Sequence, residues 1–290
     1  MGVSVERDPN DLQEVNNYID ALDYGIERLK TFPMSLRLIR EVHEKLMQGV
    51  RGQHLTPGEF CTTQNWIGHP GSTLSTAKYI PPPPDHLVDC LGAFEKFLHD
   101  ETFPPLIHIA LCHYQFESIH PFLDGNGRIG RLLIILLLLQ KNLLPAPLFY
   151  LSAFFEATRE EYYTQLYNVS AKGSWNDWFI YFLNGINLQG LDVLSRAERI
   201  NSLLTEWQIK VGVTSKGIVH EIVRYLAGNP YFTIRHISKE LDVAFSTVQR
   251  AIKSLEDLNI IKEVSHRKRD KVYCSIDILN ILEEQTRMSI

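Results

Sequence analysis

The sequence His120-Pro-Phe-Leu-Asp-Gly-Asn-Gly-Arg-Ile-Gly-Arg-Leu-Leu-Ile-Ile-Leu-Leu-Leu-Leu139 decides the organisation of this 290-residue chain. From Leu132 onward it is wholly apolar, which predicts a helix buried at the centre of a helical domain. This run is much shorter than the roughly 18 to 20 residues that a membrane span needs, so we expect no membrane association. The polar residues before the run should therefore sit at the start of a rigid, buried helix.

The polar residues of this stretch are suited to binding a polyphosphate. Gly125, Asn126 and Gly127 can adopt positive φ, so that successive backbone N–H groups would surround an anion. The N-terminus of the following helix would add partial positive charge at the same place. Arg128 and Arg131 are three residues apart on that helix and would clamp phosphate oxygens with their forked donors.

Two further residues indicate catalysis. Asp124 is an anion at an anion site, and a Mg²⁺ ion that bridges it to phosphates resolves this conflict. His120, held by Pro121, is the group in the stretch whose pKa suits proton transfer near neutral pH. A base, a metal ligand and a phosphate cradle together indicate transfer of a nucleotide or phosphoryl group to a hydroxyl.

The stretch resembles the active-site motif of the Fic family, His-Pro-Phe-x-(Asp/Glu)-Gly-Asn-Gly-Arg-x-x-Arg, at every constrained position. Most members transfer AMP from ATP to a hydroxyl side chain of a target protein, so the resemblance implies a protein adenylyltransferase. It implies that His120 deprotonates the target hydroxyl and that Asp124 binds Mg²⁺. It also places the α- and β-phosphates at residues 125–127, and the β- and γ-phosphates at Arg128 and Arg131.

Three other interpretations of the stretch compete with this one. Residues 125–130 fit a dinucleotide-binding fingerprint, but that pattern requires a preceding strand, and the residues here look helical. His113, Glu117 and His120 would share one helix face as metal ligands, but this leaves both arginines without a role. In the third interpretation the glycines only form a turn, as in a pseudoenzyme.

The segment from 59 to 84 predicts a β-hairpin. Residues 60–67 and 76–80 are rich in β-forming and aromatic side chains, and a turn-rich stretch separates them. An edge strand beside the active site would offer backbone groups to an extended target segment. Fic proteins carry such a flap here; the alternative is a surface hairpin without a role. The resemblance assigns target docking to Gln64, Asn65, Trp66 and Ile67.

Helical patterns predict most of the remaining first 200 residues. Ser35 is expected to cap one helix, and Thr158 to open another through a capping box with Glu161. The Tyr162-Tyr163 pair resembles an aromatic pair that contacts adenine in some Fic proteins. This assigns Tyr163 to the adenine ring, with core or surface packing as the alternative.

The C-terminal part predicts a second domain. Residues 205–290 hold 13 basic and 11 acidic side chains, whereas residues 1–204 hold 16 and 23. A helix, a tight turn and a second helix span residues 233–255, and a hairpin with a basic tip follows, which resembles a winged helix-turn-helix. In such a domain DNA contacts would come from Ser246, Thr247, Gln249, Arg250, Arg267, Lys268 and Arg269. The alternative role is protein binding or dimerisation.

These patterns define the expected organisation. The fold class is mainly α, with a Fic-type helical domain over residues 1–200, a helical linker over 201–212 and a small winged-helix domain over 213–290. The four cysteines are scattered without paired spacing, which indicates reduced thiols and a cytoplasmic location. The expected cofactor is Mg²⁺, with ATP as substrate.

The partners follow from the same resemblance. ATP and a hydroxyl-bearing target protein are the expected partners. DNA is a further partner if the second domain binds it. Many Fic proteins are inhibited by a helix with the pattern (Ser/Thr)-x-x-x-Glu-(Gly/Asn), which has no match in residues 1–290. An upstream segment or an inhibitory partner would supply it if the protein is restrained. A homodimer, AMP removal by the same site and a nucleotide-responsive DNA-binding regulator are left open.

Overall fold

The computed structural model describes residues 9–50, 52, 54–69, 71–212, 217–265 and 270–284. The chain divides into two compact units, Met1–Asn187 and Leu188–Ile290. The division falls within one continuous helix, Trp175–Val211, which also covers residues 201–211 of the expected linker. The expected organisation into a first domain over 1–200, a linker over 201–212 and a second domain over 213–290 stays a prediction.

The first unit is helical. Its elements are α1 (Pro9–Leu29), α2 (Leu36–Leu46), α3 (Pro84–Leu98), α4 (Pro105–Ile119), α5 (Asn126–Gln140), α6 (Leu151–Ala157), α7 (Arg159–Lys172) and the start of α8 (Trp175–Val211). The mainly α fold class is therefore confirmed.

Helix α5 is the buried centre that its sequence predicts. Every residue from Leu132 to Leu138 is at most 3% exposed. Helices α1, α2 and α4 pack against it. Burial of each such leucine or isoleucine contributes about 1.5 to 3 kcal/mol relative to exposure, so α5 anchors the functional residues at its N-terminus.

The segment 59–84, which we call the flap, has less β structure than predicted. In the described part of this segment one antiparallel bridge joins Ile67 and Tyr79, and Leu74–Thr76 forms a 3₁₀ turn. The prediction of two strands is corrected in this respect, because the turn takes up Thr76 and leaves room for one bridged pair only. The Ile67 N–H donates to the Tyr79 carbonyl at 2.9 Å, and the Tyr79 N–H donates back at 3.1 Å.

One of the two predicted helix caps is present. The Ser35 hydroxyl accepts the Leu38 N–H at 3.3 Å and caps α2. Thr158 precedes α7 but makes no side-chain cap. Its hydroxyl donates instead to the Phe154 carbonyl at 2.8 Å, so the predicted capping box is wrong.

The second unit contains the rest of α8 together with α9 (Gly217–Tyr225), β1 (Tyr231–Thr233), α10 (Ile234–Glu240), α11 (Phe245–Asp257), β2 (Lys262–Glu263), β3 (Val272–Cys274) and α12 (Ile276–Glu283). The strands form an antiparallel sheet in the order β1-β3-β2. Helices α10 and α11 are the predicted helix-turn-helix pair, and Ile222, Ile237 and Leu255 lie in their common core. Within the described residues, no helix has the length and apolar character to cross a membrane.

Candidate active site

His120 lies on a strained turn between α4 and α5. It is the C-cap of α4 in a left-handed conformation (φ 49°, ψ 57°), and its N–H donates to the Phe116 carbonyl at 2.9 Å. A non-glycine residue in this region is uncommon and is held there by its surroundings. Pro121 and Phe122 follow and are both buried. The turn therefore fixes the imidazole beside the start of α5.

Burial keeps the His120 imidazole neutral. Desolvation lowers the pKa of His120 from its ordinary 6.5 to about 4, while the Glu117 backbone and the Asp124 carboxylate act in the opposite direction. The buried Nδ1 atom makes no hydrogen bond within the described part of the chain. A neutral imidazole with an unpaired nitrogen can accept a proton, and an anionic ligand beside it would raise its pKa toward neutrality.

The residues predicted to bind phosphate form a helix N-terminus and not a nest of three residues with positive φ. Gly125 alone among residues 125–127 has positive φ (81°), and α5 begins at Asn126. A Cβ at Gly125 would lie 3.1 Å from the His43 Nε2 atom, so glycine also permits close packing there. The first backbone N–H groups of α5, at residues 126–128, have no acceptor within the helix. They provide donors for an anion in the region the sequence indicated.

The Asn126 side chain is bonded to the turn that carries His120. Its Oδ1 atom accepts the Phe122 N–H at 2.9 Å, and its Nδ2 atom donates to the Phe122 carbonyl at 2.7 Å. The side chain is 2% exposed and bonded on both sides to the turn. It therefore holds the turn, and only its backbone N–H remains for a ligand.

The two arginines are held differently. The Arg128 guanidinium donates to Glu14 of α1 at 3.2 Å and lies 3.8 Å from the Asp124 carboxylate. Arg131 makes no hydrogen bond or ion pair among the contacts of the described residues, and it lies within 3.2 Å of the Cβ position at Gly127. Arg131 is therefore the guanidinium that is available without breaking an ion pair.

Asp124 offers one carboxylate to a cation. Its Oδ1 atom accepts the Gly125 N–H at 2.6 Å, and its backbone carbonyl accepts a hydrogen bond from His43 Nε2 at 2.9 Å. Mg²⁺ commonly binds through one or two carboxylates together with substrate phosphates and water, so this donor set fits the ion. Among the described residues no three His, Cys, Asp or Glu side chains form a metal site by themselves.

Comparison with known protein families gives two matches. Residues 33–138 match the Fic/DOC family, and residues 217–262 match the winged helix-turn-helix DNA-binding family. Residues 33–138 form a Fic domain. Residues 217–262, within the second unit, form a winged helix-turn-helix, as predicted.

Relatives of the Fic domain include protein adenylyltransferases. A protein adenylyltransferase Fic of Drosophila erecta is 35% identical over 115 residues, which is 39% of this chain and 21% of the relative. The corresponding protein of Drosophila grimshawi is 34% identical over 115 residues, 39% of this chain and 22% of the relative. The match thus spans about a fifth of these relatives.

Solved structures share the fold. A Fic family protein from Desulfovibrio desulfuricans aligns with a TM-score of 0.57 and 20% identity over 93% of this chain and 77% of that one. A Fic domain containing signaling protein from Bacteroides thetaiotaomicron aligns with a TM-score of 0.53 and 21% identity over 68% and 74%. At these identities the likeness concerns the fold.

The Fic domain has a buried polar layer beneath the motif. The His113 Nδ1–H donates to the Gly130 carbonyl at 3.1 Å, and Nε2 accepts from the Tyr162 hydroxyl at 2.9 Å. Burial lowers the pKa of His113 to about 3 and raises the pKa of Glu117 to about 7, the latter against the attraction of Arg131. His113 is thus occupied by structural hydrogen bonds, and the interpretation of His113, Glu117 and His120 as a metal site has no support.

The remaining predicted Fic-domain residues lie at the surface or in the flap. Tyr163 is 51% exposed and packs against Tyr162 at 5.3 Å between ring centroids, so an adenine contact stays a prediction. Trp66 is 43% exposed and donates through Nε1 to the Ser72 carbonyl. Gln64 donates to backbone carbonyls of the flap itself, and Ile67 forms the bridge. Asn65 donates hydrogen bonds to the turn that carries His120.

Those predicted DNA-contacting residues that the structure describes all lie on α11. Ser246, Gln249 and Arg250 of α11 are exposed, and Thr247 is half-buried. The Arg250 Nε donates to the Ser246 carbonyl of its own helix at 3.3 Å. Arg267, Lys268 and Arg269 lie outside the described residues.

Sequence reasoning did not identify two residues that shape the site. His43 of α2 accepts the Gly58 N–H at Nδ1, which leaves Nε2 as the donor to Asp124, and its ring stacks on Phe122 at 3.7 Å. A histidine on the apolar face of a helix needs buried polar partners. The position of His43 on such a face was therefore the sequence signal that could have identified it. Glu14 gave no local signal, because its pairing with Arg128 spans 114 positions.

Proposed function

We propose that this chain is a Mg²⁺-dependent protein adenylyltransferase that transfers AMP from ATP to a Tyr, Thr or Ser hydroxyl of a target protein. The observation that carries the proposal is the arrangement at residues 120–131 of a Fic domain. A neutral histidine, a helix N-terminus and an unpaired arginine occur together in this stretch. The adenylyltransferase relatives support nucleotide transfer as the reaction type.

The proposed reaction proceeds as follows. The target hydroxyl oxygen attacks the α-phosphorus of ATP and forms a P–O bond, while the bond from the α-phosphorus to the bridging oxygen breaks and pyrophosphate leaves. His120 accepts the hydroxyl proton. Negative charge grows on the α-phosphate oxygens and on the pyrophosphate, where the α5 N–H groups and Arg131 would stabilise it. Asp124 would hold the Mg²⁺ ion, which supplies positive charge to the site.

The role of His120 can be tested by radiolabelling. Purified chain is incubated with Mg²⁺ and ATP labelled on the α-phosphate, alone and with lysate, beside His120→Ala. We expect label on protein with the wild type and a loss of about 10²-fold or more with the variant, because the base is absent. ATP binding measured by titration should be retained in both.

A second variant distinguishes loss of the proton acceptor from loss of phosphate binding. Arg131→Ala should weaken ATP binding, since it removes the unpaired guanidinium, whereas His120→Ala should not. Label that survives in His120→Ala would contradict the assignment of the base. Label from ATP carrying the isotope on the γ-phosphate would indicate phosphoryl transfer instead. Release of AMP from a prelabelled target would indicate the reverse reaction.

A second candidate function belongs to the winged helix-turn-helix. Its match to a DNA-binding family and the exposed face of α11 favour a DNA-binding regulator. We expect salt-sensitive binding to duplex DNA that falls when Gln249 and Arg250 are replaced by Ala. DNA mobility shifts that are unchanged by these substitutions, or DNA binding that salt does not weaken, would indicate that the winged helix-turn-helix binds a protein instead.

A further inference from the structure

Among the described residues, four hydrogen bonds join the flap to the segment that carries His120. The Cys61 N–H donates to the Pro121 carbonyl at 2.8 Å, and the Tyr79 hydroxyl donates to the Ser118 carbonyl at 3.0 Å. The other two come from the Asn65 amide. The flap is therefore bonded to this segment from both sides of the Ile67–Tyr79 bridge.

Asn65 makes the central contact. Its Nδ2 atom donates to the His120 carbonyl at 2.8 Å and to the Phe122 carbonyl at 3.0 Å. Carbonyl oxygens only accept, so the amide nitrogen and not the oxygen must face the turn. The two carbonyls flank Pro121, and a single side chain therefore spans the strained turn.

The turn depends on such contacts. His120 has positive φ, and Pro121 has no N–H with which to form a stabilising backbone bond. Asn126 binds Phe122 from the side of α5, and Asn65 binds it from the side of the flap. The Phe122 carbonyl therefore accepts hydrogen bonds from two asparagines, Asn65 of the flap and Asn126 of α5.

We propose that Asn65 is a positioning residue that sets the distance between the flap and His120, so that a target hydroxyl aligned on the flap reaches the base. This inference rests on the proposed adenylyl transfer. It replaces direct target docking by Asn65, because both amide hydrogens already bind the turn. The flap backbone near Ile67 and the exposed Trp66 ring remain for the target.

The sharpest substitution is Asn65→Asp. The aspartate has the same shape but donates no hydrogen bond, and its carboxylate would face two carbonyl oxygens. Asn65→Ala removes the donor without adding charge. Asn17→Asp is the matched control, because the Asn17 amide also bridges two carbonyls, those of Leu46 and Gln48, but does so between α1 and the end of α2.

The first readout is the rate of AMP transfer. A shift of about 1 Å between reacting groups costs on the order of 10²-fold, so we expect both Asn65 variants to lose about 10- to 100-fold in kcat. ATP affinity should stay within about twofold, since the cradle is intact. Asn17→Asp should lose far less. Wild-type rates in the Asn65 variants, or an equal loss in Asn17→Asp, would overturn the proposal.

The second readout does not depend on activity. Amide hydrogen exchange is followed at Cys61, Ile67 and Tyr79, whose N–H groups are bonded within the flap or to the turn. Asn65→Asp should accelerate exchange there by about tenfold, and Asn17→Asp should not. If the wild type transfers no AMP, the proposed function fails while this exchange result still decides whether Asn65 holds the flap. Unchanged exchange would overturn the inference on its own.

Discussion

At the scale of single residues, the chemistry depends on how burial changes the charge of His120. The imidazole is desolvated beside a carboxylate, and desolvation is the larger effect on its pKa. The unliganded site therefore presents a neutral base at physiological pH. Phosphates bound at the start of α5 would oppose the shift, because negative charge favours the protonated form.

The pKa of His120 can be measured directly. We expect a titration midpoint near pH 4 in the ligand-free protein by nuclear magnetic resonance, with His120→Ala identifying the signal. The unfolded chain binds this proton near pH 6.5, so the native state loses stability as pH falls from about 6.5 toward about 4. A midpoint at or above pH 6 would contradict the burial of the base.

The sequence predicted residue types better than residue conformations. Positions 120–131 could be located from their chemistry alone, as could the need for positive φ at Gly125. The backbone N–H of Asn126 was predicted to face the phosphates, and no role was predicted for its side chain. The side chain bonds to Phe122 within the turn, a pairing that depends on the three-dimensional course of residues 120–126. Local sequence does not specify that course.

At the scale of elements, similar residues have different effects when their neighbours differ. Ser35 and Thr158 both stand before a helix, yet only Ser35 caps one. Thr158 also ends α6, and its hydroxyl reaches back to that helix and to Tyr181 at 2.6 Å. A capping pattern predicts a cap where the preceding residues are irregular. Where a second helix ends directly before it, that helix offers its own carbonyl groups to the same hydroxyl.

Two glycines inside helices should respond oppositely to substitution by alanine. A Cβ at Gly185 of α8 would lie 2.6 Å from the Phe154 ring, whereas a Cβ at Gly92 of α3 meets nothing within 4 Å. Gly92→Ala should raise the free energy of unfolding by about 0.5 to 1 kcal/mol through helix propensity. Gly185→Ala should lower it by about 1 to 2 kcal/mol, because overpacking exceeds that gain.

Chemical denaturation of both glycine variants checks this prediction. The slope of the unfolding curve should be unchanged, so that the midpoints report stability. Stabilisation by both alanines would mean that α6 and α8 pack less closely at Gly185 than the structure shows. The same close approach explains why a glycine is present within a helix whose pattern otherwise favours larger residues.

At the scale of the whole molecule, the sequence predicted two functional parts and the structure contains two compact units. The Fic domain and the winged helix-turn-helix were recognisable because each has a local pattern, a motif in one and paired helices in the other. The boundary over 201–212 stays a prediction, and α8 continues from Trp175 to Val211 across most of it. The pairing of Glu14 with Arg128 likewise joins distant positions that no local pattern connects.

The central claim is that residues 120–131 transfer AMP to protein. It is tested most directly by the intact mass of the purified chain and of any labelled target after incubation with Mg²⁺ and ATP. The account predicts an added mass of one AMP group per modified hydroxyl, absent with His120→Ala. An added mass of one phosphate, or an AMP adduct that forms equally well without His120, would contradict it.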